Sequence, residues 1–299
     1  SNNQVNAIYK DSHGFMWFGT ASGLNRYDGY DTRIYRSLKD DGNSLPDSYI
    51  EDIQEDATGN LWVRTGAGYA IYNSVSDIFD RNVEGWMWHI GISGNPSTVY
   101  IDSEKIFWIY VAGKGIYCYK PGQENAVMVA GTDTLLTEMN ITDMTECSEG
   151  ILLAFGNGVL ACLDREKLNV KWTFDGIASQ WGKNQSETFT LFVDSHERVW
   201  MYSVEGMWVY HLPKKSWEVR SVRSDRSNMV RAISQDKYGN IWIGRDQDGI
   251  EVIGLDGESV RLMNDPNNER TISNNTVTVL YEDNVGTMSV SYTHLRAHE

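Results

Sequence analysis

A motif of Asp, two residues, Gly, two residues and Trp recurs along the chain, and it restricts the fold more tightly than any other feature of the sequence. It is complete at Asp11, Gly14 and Trp17, at Asp56, Gly59 and Trp62, and at Asp236, Gly239 and Trp242. A Gly follows the Trp by six or seven residues and an aromatic stands four beyond it, as Gly68 and Tyr72 do; Ile253 replaces that aromatic after Gly249. Two units keep Asp and Trp but change the turn residue: Asp102 and Trp108 with Lys105, Asp194 and Trp200 with Glu197. A weaker unit keeps Gly150 and has Leu153 where Trp is due, and a seventh opens with Asp283 and Gly286 but has Ser289 at the Trp position. Positions 17, 62, 108, 153, 200, 242 and 289 are therefore equivalent, 42 to 47 residues apart.

Within the first unit, four β-prone runs are separated by turn signals. Asp11 to Gly14 suits a hairpin in which Asp bonds the backbone locally and Gly supplies a positive φ, and Asp28-Gly29 is a two-residue hairpin signal. A period in the forties with four strands per unit predicts a β-propeller, each unit being one blade, with Trp as apolar filling between blades. The expected architecture is an all-β propeller of the seven-bladed type. Six four-stranded antiparallel blades are complete, around 1–36, 49–80, 98–130, 140–174, 187–222 and 229–263, and a seventh is truncated at 276–288. Residues 289–299, SVSYTHLRAHE, carry no repeat character and read as a non-native tail outside the fold.

With 26 basic against 41 acidic residues, a net charge of −15 disfavours nucleic acid, which needs clustered Lys and Arg. No run of about 18 apolar residues is present, and no charged-then-apolar leader is visible among the first residues. Cys118 and Cys162 fall in strand-like runs, where a thiol behaves as a small hydrophobe; Cys147 is the third. No metal-ligand spacing and no cofactor motif appear, so neither is expected.

Strand alternation puts the connections between blades, and the turns between second and third strands, on one face, with the Asp-x-x-Gly turns on the other. Trp86, Trp88 and His89 lie in the long connection at 83–97, where a short helix is expected, and Trp181 lies in the polar connection at 175–187. These four are the candidate ligand-binding residues, because aromatic rings on a rigid rim stack on the apolar faces of sugar rings while Asn and Asp bond hydroxyls. The competing reading folds Trp86 and Trp88 inward as a lid on the core. A carbohydrate-active propeller enzyme would need paired carboxylates converging on one face. The recurring Asp11, Asp56 and Asp236 are poor candidates for that, being turn residues on the opposite face, so no catalytic residue is assigned. A protein-interaction scaffold is the third reading.

The segments LPDSYIEDIQEDATGNLWVRTGAGYAIYN, MVRAISQDKYGNIWIGRDQDGIEVI and FMWFGTASGLNRY resemble the two-component regulator propeller repeat, and the resemblance extends to Met288. In that family the repeats form the extracytoplasmic, periplasmic sensor of hybrid histidine kinases, found especially in Bacteroidetes that degrade polysaccharides. The resemblance implies a role in sensing a ligand, often an oligosaccharide. It further implies a parent chain with a second propeller, an immunoglobulin-like module, a membrane helix and a kinase, assembled as a homodimer. The repeats define a scaffold, so no binding residue is carried over with them. The kinase itself is absent: His196-Glu197, the one His-Glu pair within the repeats, sits in a hairpin turn, and no Gly-rich nucleotide loop is present.

Overall fold

The computed structural model describes residues 4–132, 140–181, 186–222, 229–283 and 286–292, with a secondary structure that is almost wholly β. Two compact units are present, one of residues 7–189 and one of residues 1–6 with 190–299. The larger unit holds four meandering sheets: β1 (Val5–Lys10, its first two residues grouping with the smaller unit), β2 (Met16–Thr20), β3 (Gly23–Tyr27) and β4 (Thr32–Tyr35); β5 (Ile50–Glu55), β6 (Leu61–Thr65), β7 (Gly68–Asn73) and β8 (Ile78–Asp80); β9 (Thr98–Ile101), β10 (Phe107–Val111), β11 (Gly115–Tyr119) and β12 (Val127–Met128); β13 (Ile141–Cys147), β14 (Gly150–Phe155), β15 (Leu160–Asp164) and β16 (Asn169–Phe174). The smaller unit holds β17 (Thr190–Val193), β18 (Arg198–Ser203), β19 (Gly206–His211) and β20 (Ser216–Val222); β21 (Val230–Gln235), β22 (Ile241–Arg245), β23 (Ile250–Ile253) and β24 (Ser259–Leu262); and a two-stranded sheet of β25 (Val277–Glu282) and β26 (Met288–Tyr292). The fold is thus all-β, with six four-stranded antiparallel blades of the β-propeller type, matching the repeat units read from the sequence.

The recurring Asp does more than close a turn. Asp11 Oδ1 accepts the backbone N–H of His13 and Phe15, while its Oδ2 accepts the indole N–H of Trp17 at 2.7 Å. The same arrangement recurs at Asp56 and Trp62 (3.2 Å), Asp102 and Trp108 (3.0 Å), Asp194 and Trp200 (2.8 Å), and Asp236 and Trp242 (2.9 Å). One carboxylate therefore satisfies the turn backbone and the only polar atom of a core ring, which lets Trp fill the space between blades without burying an unmatched donor. At Lys105 (φ 64) and Glu197 (φ 59) a non-glycine residue holds the left-handed turn position that Gly14 holds in blade one. His196-Glu197 accordingly belongs to the turn, with the His196 N–H donating to Asp194.

Trp17, Trp62, Trp108 and Trp200 are at most 2% exposed, as the repeat register predicts. Trp17 meets Tyr72 of the next blade at a centroid distance of 5.0 Å, and Trp62 meets Phe107 at 5.2 Å. Trp242 departs from this pattern and is only partly buried, packing beside Val277 and Leu280. The sheet that follows it has two strands rather than four, so the cover on the ring is incomplete. In blades one and six the Gly two residues after Trp admits the next first strand: a Cβ on Gly19 would lie 2.6 Å from Ile50 Cγ2, and one on Gly244 would lie 2.6 Å from Val277 Cγ1.

Neighbouring blades are also latched by polar contacts that the motif does not advertise. The carboxylate of Glu55, one residue before the repeat Asp, accepts from the backbone N–H and hydroxyl of Ser12, one residue after the preceding repeat Asp. Gln235 likewise accepts from the Ser195 backbone N–H while its amide donates to the Ser195 hydroxyl, and Glu282 accepts from the Lys237 backbone N–H. Glu146 accepts from Ser103 in the same way and also pairs with Arg165 at 2.6 Å.

β26 pairs with β25 from Glu282–Met288 to Val277–Tyr292, so residues 289–292 of the stretch set aside as a tail form a strand, in correction of that boundary. Ser289 to Tyr292 alternates small polar with apolar residues, which suffices for a strand beside an available edge. Residues 293–299 lie outside the described residues.

Candidate functional site

The connection after β8 folds into the helix α1 (Val83–His89), as its sequence suggested. Asn82 starts the helix, its side-chain oxygen accepting the Gly85 N–H, and Glu84 in the first turn and His89 in the last complement the helix dipole. Val83, Met87 and Ile90 are buried at helical spacing and share a cluster with Tyr69 at the start of β7. α1 therefore packs by the turn between second and third strands, on the side that strand alternation predicted.

That spacing decides the fate of the candidate aromatics. Trp86, three residues after Val83, shares the buried face: its ring lies 4.6 Å from Trp62, 5.2 Å from Phe107 and 5.7 Å from Tyr119. The expectation that it projects beside Trp88 is corrected, since it forms part of the lid over the seam between blades two and three. Trp88 points elsewhere on the helix and is 64% exposed, and His89 is also exposed. Trp181 ends a second short helix, α2 (Gly176–Trp181), in a connection read as a loop; its side chain lies outside the described residues. α2 is seated through buried Ile177 against Gly158, in the turn between β14 and β15. Of the four proposed residues, Trp88 and His89 are the two with exposed side chains among the described residues.

Several ionisable groups away from α1 are committed to structure. Burial raises the Asp236 carboxyl, but hydrogen bonds from Trp242 and Asn240 outweigh it and leave the group below the usual carboxylate range. A cluster that sequence reading missed lies between blades one and two. Tyr35 and Tyr72 each donate to Asp77 Oδ1 at 2.7 Å, Arg26 bonds the Tyr72 hydroxyl at 3.1 Å, and Arg33 pairs with Asp77. Only the aromatic at the fourth residue after the repeat Gly hinted at it, through Tyr72. Every group in it has a partner, so it reads as a latch between outer strands. Among the described residues no group of three or more His, Cys, Asp or Glu is placed to hold a metal ion, and no helix is long and apolar enough to cross a membrane.

Buried tyrosines make the fold sensitive to alkali. Burial and the nearby Glu55 carboxylate push the Tyr9 hydroxyl up to about 12, and burial raises Tyr69 and Tyr100 in the same direction. The unfolded chain releases these protons near 10, so stability is full below that pH and is lost as pH rises from 10 to about 12. A urea midpoint that falls across this window together with the appearance of tyrosinate absorbance is the expected result; an unchanged midpoint would refute it.

Comparison with known proteins gives the blades a context. The family model described as "Two component regulator propeller" matches residues 1–22, 44–67 and 224–244. The extracellular domain of the putative hybrid two component system BT3049 from B. thetaiotaomicron is similar in structure, with a TM-score of 0.71 and 17% identity, over 98% of this chain and 39% of that one. The corresponding domain of BT4673 from the same organism gives 0.70 and 16%, over 97% of this chain and 37% of that one. The chain thus spans about two fifths of the length of these domains. Virginiamycin B lyase from Staphylococcus aureus also matches, with a TM-score of 0.62 and 10% identity over 95% and 90% of the two chains. At such identities the likeness shows the fold alone. No curated protein matches the sequence. Three segments of this chain therefore match the repeat of the two-component regulator propeller family, the family that its sequence resembles.

Proposed function

We propose that this chain is the ligand-sensing propeller of a hybrid two-component sensor, responding to an oligosaccharide released from a polysaccharide and signalling to a kinase that lies outside this sequence. The observation that carries the reading is the coincidence of regulator propeller repeats with a fold shared with extracellular domains of hybrid two component systems. In this reading the β25–β26 sheet begins a seventh blade, and the domain acts in the periplasm as part of a dimeric parent with a second propeller and an immunoglobulin-like module. It works by binding rather than by catalysis: the recurring carboxylates each hold a turn and an indole and are not available to polarise a substrate.

Within the rim, Trp88 and His89 are the residues we assign to the ligand, with Trp181 as the counterpart in blade four. An exposed ring on a capped helix is presented with little loss of side-chain entropy on binding, which suits stacking on a pyranose face. Calorimetry with a panel of oligosaccharides tests this. Binding by the wild type, weakened about tenfold or roughly 1.4 kcal/mol by Trp88→Ala, is the expected outcome. Unchanged affinity in Trp88→Ala and in Trp181→Ala, with the fold intact, would remove the rim as the site.

A further inference from the structure

We propose that Cys147 and Cys162 are a reactive thiol pair that closes to an intramolecular disulfide on meeting a disulfide oxidant, tying the first strand of blade four to its third. The register carries the argument. Cys147 lies opposite Gly150, and Leu152 lies opposite Cys162, so alternation along β14 places both cysteines on one face of the sheet. Gly150 stands between them without a side chain. A Cβ there would sit 3.3 Å from Cys162 Sγ and 1.9 Å from the Leu163 carbonyl oxygen, so the end of the β13–β14 hairpin is pressed onto β15. The Cys162 sulfur extends into the space that glycine leaves, donating to the Leu163 carbonyl at 3.8 Å, with the Cys147 thiol as its neighbour.

The hairpin tip is held in that position from outside. Lys171 Nζ donates to the Glu149 carbonyl at 3.0 Å, and Trp172 Nε1 donates to the Glu149 carboxylate at 2.8 Å. Cys162 is fully buried while Cys147 is half-buried, so Cys147 is the sulfur an oxidant reaches first. The neighbouring Cys147 thiol and burial both disfavour ionisation of Cys162.

The exchange balances without any other cofactor. The Cys147 thiolate attacks one sulfur of a small-molecule disulfide and expels one thiolate, leaving a mixed disulfide. Cys162 then loses its proton to solvent and displaces the second thiolate, forming the protein S–S bond. One disulfide is reduced to two thiols as two protein thiols are oxidised.

Incubation of the full chain with oxidised glutathione, followed by thiol counting under denaturing conditions, tests the proposal. The expected result is a fall from three reactive thiols to one, with Cys118 remaining and the peptides on either side of a cleavage after Glu149 staying linked until reduced. Cys147→Ser, at the half-buried tip, should abolish the link and leave Cys162 unmodified, while Cys118→Ser should leave the link intact. Melting temperature should rise on oxidation of the wild type and not of Cys147→Ser, a readout that holds even if Cys162→Ser folds poorly. Three thiols surviving oxidation, a bond between Cys147 residues of two chains, or a bond to Cys118 would each overturn it.

Discussion

Replacing Trp108 with Ala is expected to cost about 3 to 5 kcal/mol of folding stability, the range for emptying a large core site. The ring is fully buried in a cluster drawn from blades three and four, among them Ile141, Met144, Ile151 and Leu153. Removing it opens a cavity that strands on both sides, held by their ladders, cannot collapse to fill. The same change strips Asp102 Oδ2 of its indole donor and leaves Arg165, at 4.0 Å, as its remaining cationic neighbour. Trp108→Phe keeps most of the packing and loses only the hydrogen bond, so it should cost well under half as much. Chemical denaturation measures both, and a loss below about 1 kcal/mol for the Ala variant would refute the role of this position as core.

Asp102→Ala should be nearly as damaging, although it removes far less apolar volume. The carboxylate, 2% exposed, accepts from the Glu104 and Ile106 backbone N–H groups and from the Trp108 indole. Each buried donor left without a partner costs roughly 1 to 3 kcal/mol, and the three together put the expected loss at about 3 to 5 kcal/mol, part being recovered as water enters the turn. Asp102→Asn should fall between, since its amide oxygen still accepts from the turn while its NH2 opposes the indole N–H. The equivalent change at Asp56 should cost less, because the turn is more open to water and its indole bond is longer, at 3.2 Å. Equal urea midpoints for wild type and Asp102→Ala would show that these hydrogen bonds contribute nothing to stability.

The blades were legible because their determinants are local. An Asp-x-x-Gly turn, a run of alternating β-prone residues and a second turn all lie within a few residues of one another, and the period that repeats them is visible without knowing what they pack against. Residues 289–292 were misjudged for the opposite reason. No repeat character marks them, yet a strand needs only β-compatible residues beside an unpaired edge, and β25 offers one.

Sequence by itself determined the four-stranded units, the equivalence of Trp17, Trp62, Trp108 and Trp200, and the placement of the connections that carry α1 and α2 at the ends opposite the Asp turns, although α2 itself was read as a loop. Each follows from periodicity and from the reversal of chain direction at every turn. The destinations of individual side chains were decided only by tertiary structure. Trp86 and Trp88 are two residues apart and chemically identical, and one packs half-buried against the core while the other faces solvent, because α1 presents a single face to the seam beneath it. Glu55 reaches Ser12, Asp77 gathers Tyr35 and Tyr72, and Cys147 meets Cys162 across a glycine, each because packing brings the partner from another strand or blade. A side chain's partner across such a gap leaves no trace in the spacing of its own neighbours, so only the packed structure could reveal it.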